Sequence, residues 1–289
     1  MSFRPIPFVC SVLAGAAVLS AQEPMTDKQL EKELQESSEE HMRAELGVND
    51  ITTPLIANIL KEFGTFQPIP LDLIAQAPLD AVYDNRLQTA LFFGSLVADG
   101  FMLTIAERPQ DIQNIGRALI KQSRALGVGD RLTSRSKSLF ELSDKGDWQG
   151  MREELIRTQG DVEKSMLELR DEEMAHIISL GGWLRGFQLA VHSTVQRYTP
   201  EKARILGRPE IMDYYLDRLD TLHPRLKKTE FVTTLIAKLK ELRLLATNAE
   251  TGVLSENDVK KMAILADQAE AIAIGPVDEE GRILKKPAP

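Results

Sequence analysis

The sequence is almost without cysteine: Cys10 is the only one. It lies in a segment that begins with Arg4, continues as a mostly apolar run from Ile6 to Leu19 and ends in the small pair Ser20-Ala21. That order is a secretory signal peptide, residues 1–21, with cleavage near Ala21. The run is short for a membrane span, which needs about 20 apolar residues. Too little apolar chain precedes Cys10 for it to be a lipoprotein anchor. The mature chain then has no cysteine. Disulfides, cysteine-ligated zinc, iron–sulfur clusters, c-type haem and cysteine nucleophiles are excluded. An exported protein without cross-links rests on its core, and a chain of this length has enough to bury.

Strand patterning is also lacking. No stretch alternates apolar and polar over several residues, β-branched runs are short, and no repeat of solenoid length occurs. Catalytic signatures are missing too. There is no His-Glu-x-x-His, no Gly-x-Ser-x-Gly, and no Gly-Lys-Ser/Thr after the glycine-rich Gly127-Val128-Gly129-Asp130. Positive charge is in deficit. The net charge is −8, and losing Arg4 makes the mature chain more acidic still. Such a surface argues against nucleic acid or an anionic membrane as the main partner.

What remains is helical periodicity. The sequence predicts an all-α, multi-helix bundle of about ten helices. A central buried helix over 85–106 packs on a helix over 171–198. An acidic arm, 22–53, opens with the capping box Thr26…Gln29 and carries Leu30 and Leu34. The central bundle spans 54–198, starting at the cap Thr53 and Pro54. Pro109 opens one helix, Asp130 and Asp147 cap two more, and Gly127 and Gly146 end helices. Between Leu169 and Asp171 nothing decides whether 147–198 is one helix or two. A turn near Arg170 with Asp171 as cap is the favoured form. A C-terminal helical section, 199–273, includes the amphipathic basic stretch of Lys238, Lys240 and Arg243 and a last helix capped by Ser255. Residues 274–289 read as a flexible tail.

Two stretches share a peculiar composition. Ala90, Gly94 and Ala98 recur every four residues, and so do Gly182, Gly186 and Ala190. Each set makes a small-residue stripe along one helix. Glycine inside a helix costs roughly 1 kcal/mol relative to alanine, so its presence points to close helix packing. A charge sits beside each stripe: Asp99 in the first and Arg185 in the second. An unpaired charge there is very costly, so the two are expected to form a buried polar pair that sets the register. The functional alternative is that they line a ligand pocket.

Glu173 and His176 have the Glu-x-x-His spacing of carboxylate-bridged di-metal bundles, but no second copy exists among His41, His192 and His223. They are a weak metal candidate, and no cofactor is expected. Arg131, Arg135 and Lys137 form a mild basic patch that reads as a solvated helix face. Three function classes follow. The favoured one is an exported, non-catalytic envelope protein with an interaction or scaffold role, its partner another envelope protein. The second is a small-molecule or lipid binder with a cavity between the striped helices. The third is an enzyme or metal protein using Glu173, His176, Asp99 or His192. No transmembrane span is expected in the mature chain, and the oligomeric state is undetermined by the sequence.

Overall fold

A computed structural model describes residues 61–169, 171–247, 252–278 and 280–284. The signal segment with Cys10, the acidic arm and the helix start at Thr53-Pro54 lie outside the described residues. So do the side chains of Asp130, Arg131, Arg135 and Lys137.

Eleven helices are defined among the described residues: α1 (Leu71–Ala75), α2 (Arg86–Ile105), α3 (Pro109–Ala125), α4 (Gly129–Lys145), α5 (Trp148–Glu168), α6 (Glu172–Gln196), α7 (Pro200–Leu206), α8 (Glu210–Asp220), α9 (Pro224–Lys227), α10 (Glu230–Thr247) and α11 (Glu256–Ile274). There is no strand among them, only an isolated bridge between Val277 and Ile283. The fold is an all-α bundle.

Local chemistry explains most helix ends. The Asn85 side chain accepts from the backbone N–H of Leu87 at 2.9 Å and starts α2. Asp147 accepts from Gly150 N at 2.9 Å, and Gly146, at φ 66°, ends α4. Thr199 and Ser255 cap α7 and α11 by accepting from Lys202 N and Asp258 N. The break after Glu168 makes two helices of 147–198. Asp171 takes the cap position of α6, but its side chain makes no capping bond and pairs with Arg86 of α2 instead. The α4 helix begins at Gly129, so Asp130 lies in its first turn rather than at its cap.

The centre of the bundle is the pair α2 and α6. Every residue of α2 from Leu87 to Thr104 is buried, as are nearly all residues of α6 from Met174 to Thr194. By length and composition α2 meets the requirement for a membrane span, yet 94% of its apolar window is buried inside the fold. Both helices therefore lack an apolar stripe of the usual kind, because they are covered all round. The α3, α4 and α5 helices pack in sequence, and α5 returns to touch α2 and α6. The α11 helix also packs on α6 and α2, α10 packs on α11, and α8 packs on both α10 and α6. One continuous apolar cluster runs from Phe63 to Val277.

Within the stretch read as a tail, residues 276–278 and 280–284 are described, and they make a turn against α10. Gly281, at φ 78°, allows a tight turn, and its carbonyl accepts the Phe231 N–H at 2.9 Å. Glu230 accepts from Ile283 N at 3.1 Å, and Val277 is buried. The turn satisfies the Phe231 N–H at the start of α10, which a free helix end leaves open.

The α2–α6 contact is backbone on backbone. A methyl group on Gly94 would lie 2.0 Å from the Ile178 carbonyl oxygen and 2.6 Å from Gly182 N. One on Gly181 would lie 2.0 Å from the Leu91 carbonyl oxygen. Gly94→Ala and Gly181→Ala are each expected to cost about 2–3 kcal/mol or more in chemical denaturation, since neither backbone can yield cheaply. Gly160→Ala in α5, where nothing lies within 4 Å, is expected to gain up to about 1 kcal/mol.

Candidate functional site

The interior holds one dense set of polar side chains, at the junction of α2, α6 and α11. It is built from the two residues the sequence singles out. Arg185 Nε donates to Asp99 Oδ1 at 2.7 Å, and Nη2 donates to Asp99 Oδ2 at 3.2 Å. The guanidinium is thus forked onto both carboxylate oxygens, with side chains 5% and 2% exposed. Nη2 also donates to the Leu73 carbonyl of α1 at 2.9 Å, and Nη1 donates to Gln188 Oε1 at 2.7 Å. Gln188 Nε2 passes the connection to Asp267 Oδ1 of α11 at 2.8 Å. The same oxygen lies 2.8 Å from His192 Nε2. One chain of contacts thus runs from the partly exposed His192 and Asp267 to the fully buried Asp99.

Burial disfavours the Arg185 charge, but Asp99, Glu270 and Asp267 together more than offset it and hold the guanidinium pKa above its usual value. Burial also pushes the Asp99 carboxyl up, while Arg185 pulls it back by charge and hydrogen bonding. Both Asp99 oxygens accept N–H donors from Arg185, an arrangement that favours the ionised carboxylate. Asp99 is the ionised partner.

Sequence reasoning missed Glu270 of α11. It is 2% exposed, and neither carboxylate oxygen has a hydrogen-bond partner. Burial pushes its pKa up to about 7. Arg185 and the Ser95 hydroxyl oppose that rise, and Asp99 and Asp267 reinforce it. Nearby, Tyr83 donates to the Ile274 carbonyl at 2.7 Å, and Gln88 donates through Nε2 to the Gly275 carbonyl. The signal for Glu270 was present in the sequence. It falls on the stripe of Val259, Met262, Ala266, Ala269 and Ala273, where an acid is out of place.

Of the stripe residues, Gly94 and Gly182 lie where the two central helices meet. Ala90, Ala98 and Ala190 are buried, as are Gly182 and Gly186. The closest approach joins Gly94 to Gly181 and Gly182, so Gly181, one residue outside the expected stripe, carries half of the contact. Backbone atoms fill the crossing at Gly94 and Gly181, which leaves no room there for the cavity of the alternative, ligand-binding reading.

The remaining candidates are dispersed. Glu173 and His176 share α6, but the His176 ring is engaged. Its Nδ1 is 3.0 Å from the Tyr214 hydroxyl, and burial with the nearby Arg218 charge lowers its pKa to about 4. Among the described residues no group of three or more His, Cys, Asp or Glu is placed to hold a metal. His192 has Asp267 beside it but no nucleophile in the network. Of the basic residues of α10, Lys238 pairs with Glu241 on the same helix, Arg243 pairs with Asp213 of α8, and Lys240 is exposed. A groove of about 350 Å³ lies beside α1, lined by Leu71, Ile74, Leu103 and Ile115 together with Arg108 and Asp111, which pair at 3.0 Å.

No family model matches the chain, and no curated protein or solved structure matches it.

The Asp99–Arg185 pair gives a direct test of architecture. Asp99→Asn strands a buried guanidinium and is expected to cost about 3–5 kcal/mol of unfolding free energy. The double variant Asp99→Leu, Arg185→Met, with no buried charge left over, is expected to recover much of that loss. A native-like stability for Asp99→Asn would remove the pair from its structural role.

Proposed function

We propose that this protein is an exported, non-catalytic helical protein of the cell envelope, with an interaction or scaffold role and another envelope protein as its partner. The observation that carries the reading is how Arg185 is used. Four of its five N–H donors go to Asp99, Gln188 and Leu73, which join α1, α2 and α6 and lead on to α11. The strongest charges of the interior are thereby consumed in holding helices together. Function must be argued from a site. Among the described residues no nucleophile, base and oxyanion donor converge on an open cleft. Export rests on Arg4, the apolar run and Ser20-Ala21.

A second reading keeps a ligand. The closed crossing at Gly94 and Gly181 leaves no room between the striped helices. The groove beside α1, at about 350 Å³, has the size of a small-molecule site, with a lining about as polar as it is apolar. Of its three charged lining residues, Asp72, Arg108 and Asp111, the last two already pair with each other, which weakens the claim to an ionic ligand.

Native mass spectrometry of the protein purified from its own envelope separates these readings. The expected result is a mature chain beginning at Gln22, alone or bound to a second polypeptide. A co-purifying lipid or small molecule in fixed ratio would move the assignment to the groove. A cytoplasmic protein retaining Met1 would overturn export.

A further inference from the structure

We propose that Glu270 is a proton-operated latch: protonated, it lets α11 close on α2 and α6, and its ionisation loosens that seam. Two buried carboxylates, Asp99 and Glu270, share one buried guanidinium. Geometry assigns Arg185 to Asp99, through both oxygens. Glu270 receives none of these N–H groups, and neither of its oxygens has a partner in hydrogen-bond geometry, although the Ser95 hydroxyl acts on it. An ionised carboxylate buried without a partner is among the costliest arrangements in a protein, and the group escapes by keeping its proton.

The surroundings give no relief. From α2, Asp99 repels a charge on Glu270 and the Ser95 hydroxyl favours it; from α6, Arg185 favours it; on α11 itself, Asp267 repels it. Ser95 already donates to the carbonyls of Leu91 and Gly181, at 3.2 and 3.4 Å. Tyr83, from the segment before α2, is held protonated by burial and by Glu270, and its hydroxyl proton goes to Ile274. The α10 helix, which also packs on α11, buries only Phe231, Val232, Leu235, Leu239, Leu242 and Ala246. It offers no counter-charge.

Position makes this a latch rather than a general weakness. Glu270 lies between the alanines by which α11 approaches its neighbours: Ala266, Ala269 and Ala273 are all fully buried. Alanines contribute little apolar area for anchoring, so the seam is close but lightly held. Water admitted to a charged Glu270 enters there first. The route to solvent is short, because Asp267 and His192, one turn away on α11 and on α6, are partly exposed.

The direction of the pH dependence follows. A carboxyl held neutral in the fold binds its proton more tightly folded than unfolded. Its contribution is complete below the ordinary value of 4.5 and is lost as pH rises through about 7. His176 works in the opposite sense, withdrawing stability as pH falls below 6.5. The difference between wild type and Glu270→Gln therefore isolates the latch.

The test uses the mature full-length chain and two readouts. Infrared spectroscopy of the wild type should show the carbonyl band of a buried protonated carboxylic acid near pH 6. That band should fade across neutral pH and be missing in Glu270→Gln. Amide hydrogen exchange, corrected for intrinsic rates, should show α11 opening roughly tenfold or more faster near pH 8.5 than near pH 6, with α2 and α6 changing less. In Glu270→Gln, α11 should stay slow at both. A band that persists in the variant, equal pH dependence in both proteins, or equal opening of α2, α6 and α11 would each overturn the proposal. Should the glutamine variant fail to fold, Glu270→Met replaces it. The wild-type band and exchange pattern also decide alone, since a pH-independent α11 refutes the latch.

Discussion

One guanidinium governs the interior of this protein. Arg185 stands where α6 meets α2, and its donors reach a side chain of α2, a carbonyl of α1 and, through Gln188, a carboxylate of α11. A buried ion pair is weak evidence for stability in itself, because desolvation consumes most of the attraction. Its force here is directional. Apolar surfaces tolerate a helix sliding by a turn, whereas a forked pair with both partners under 6% exposed does not.

The glycines make that geometry reachable. With Gly94 and Gly181 lacking side chains, the α2 and α6 backbones come into contact and the Ser95 hydroxyl spans to the Gly181 carbonyl. Small residues thus bring the helices together and the ion pair fixes their register. On the α11 side, alanines repeat the close approach, but Glu270 replaces the fixing pair with an acid that has no partner. The two seams of α2 and α6 are alike in sterics and opposite in electrostatics.

Much of this was legible in the sequence. Helix class, the central pairing and the identity of its two charges follow from all-round apolarity, four-residue small-residue spacing and the cost of an unpaired charge. What escaped had physical reasons. Gly181 lies beside the expected stripe, and spacing cannot distinguish adjacent glycines at a crossing. Asp171 looks like a cap, but a better-placed cation, Arg86, claimed its carboxylate. The turn that holds Gly281 and Ile283 looks loose because its order comes from contacts with α10, 53 positions away for Glu230 and Ile283. Glu270 was hidden by the opposite error: acids on an amphipathic helix are assigned to solvent by habit, although its place on the apolar stripe said otherwise.

Asp99 has one more consequence, which concerns the chain before it is folded. Its partner Arg185 lies 86 positions later, so α2 emerges long before anything can cover it. A helix of this length and apolarity is the kind that a translocation channel releases sideways into lipid. A carboxylate within such a segment raises the free energy of insertion, by up to about 2.5–3.5 kcal/mol at the centre of a span. If the chain is exported as proposed, the carboxylate that later receives Arg185 first opposes insertion of α2 into the bilayer.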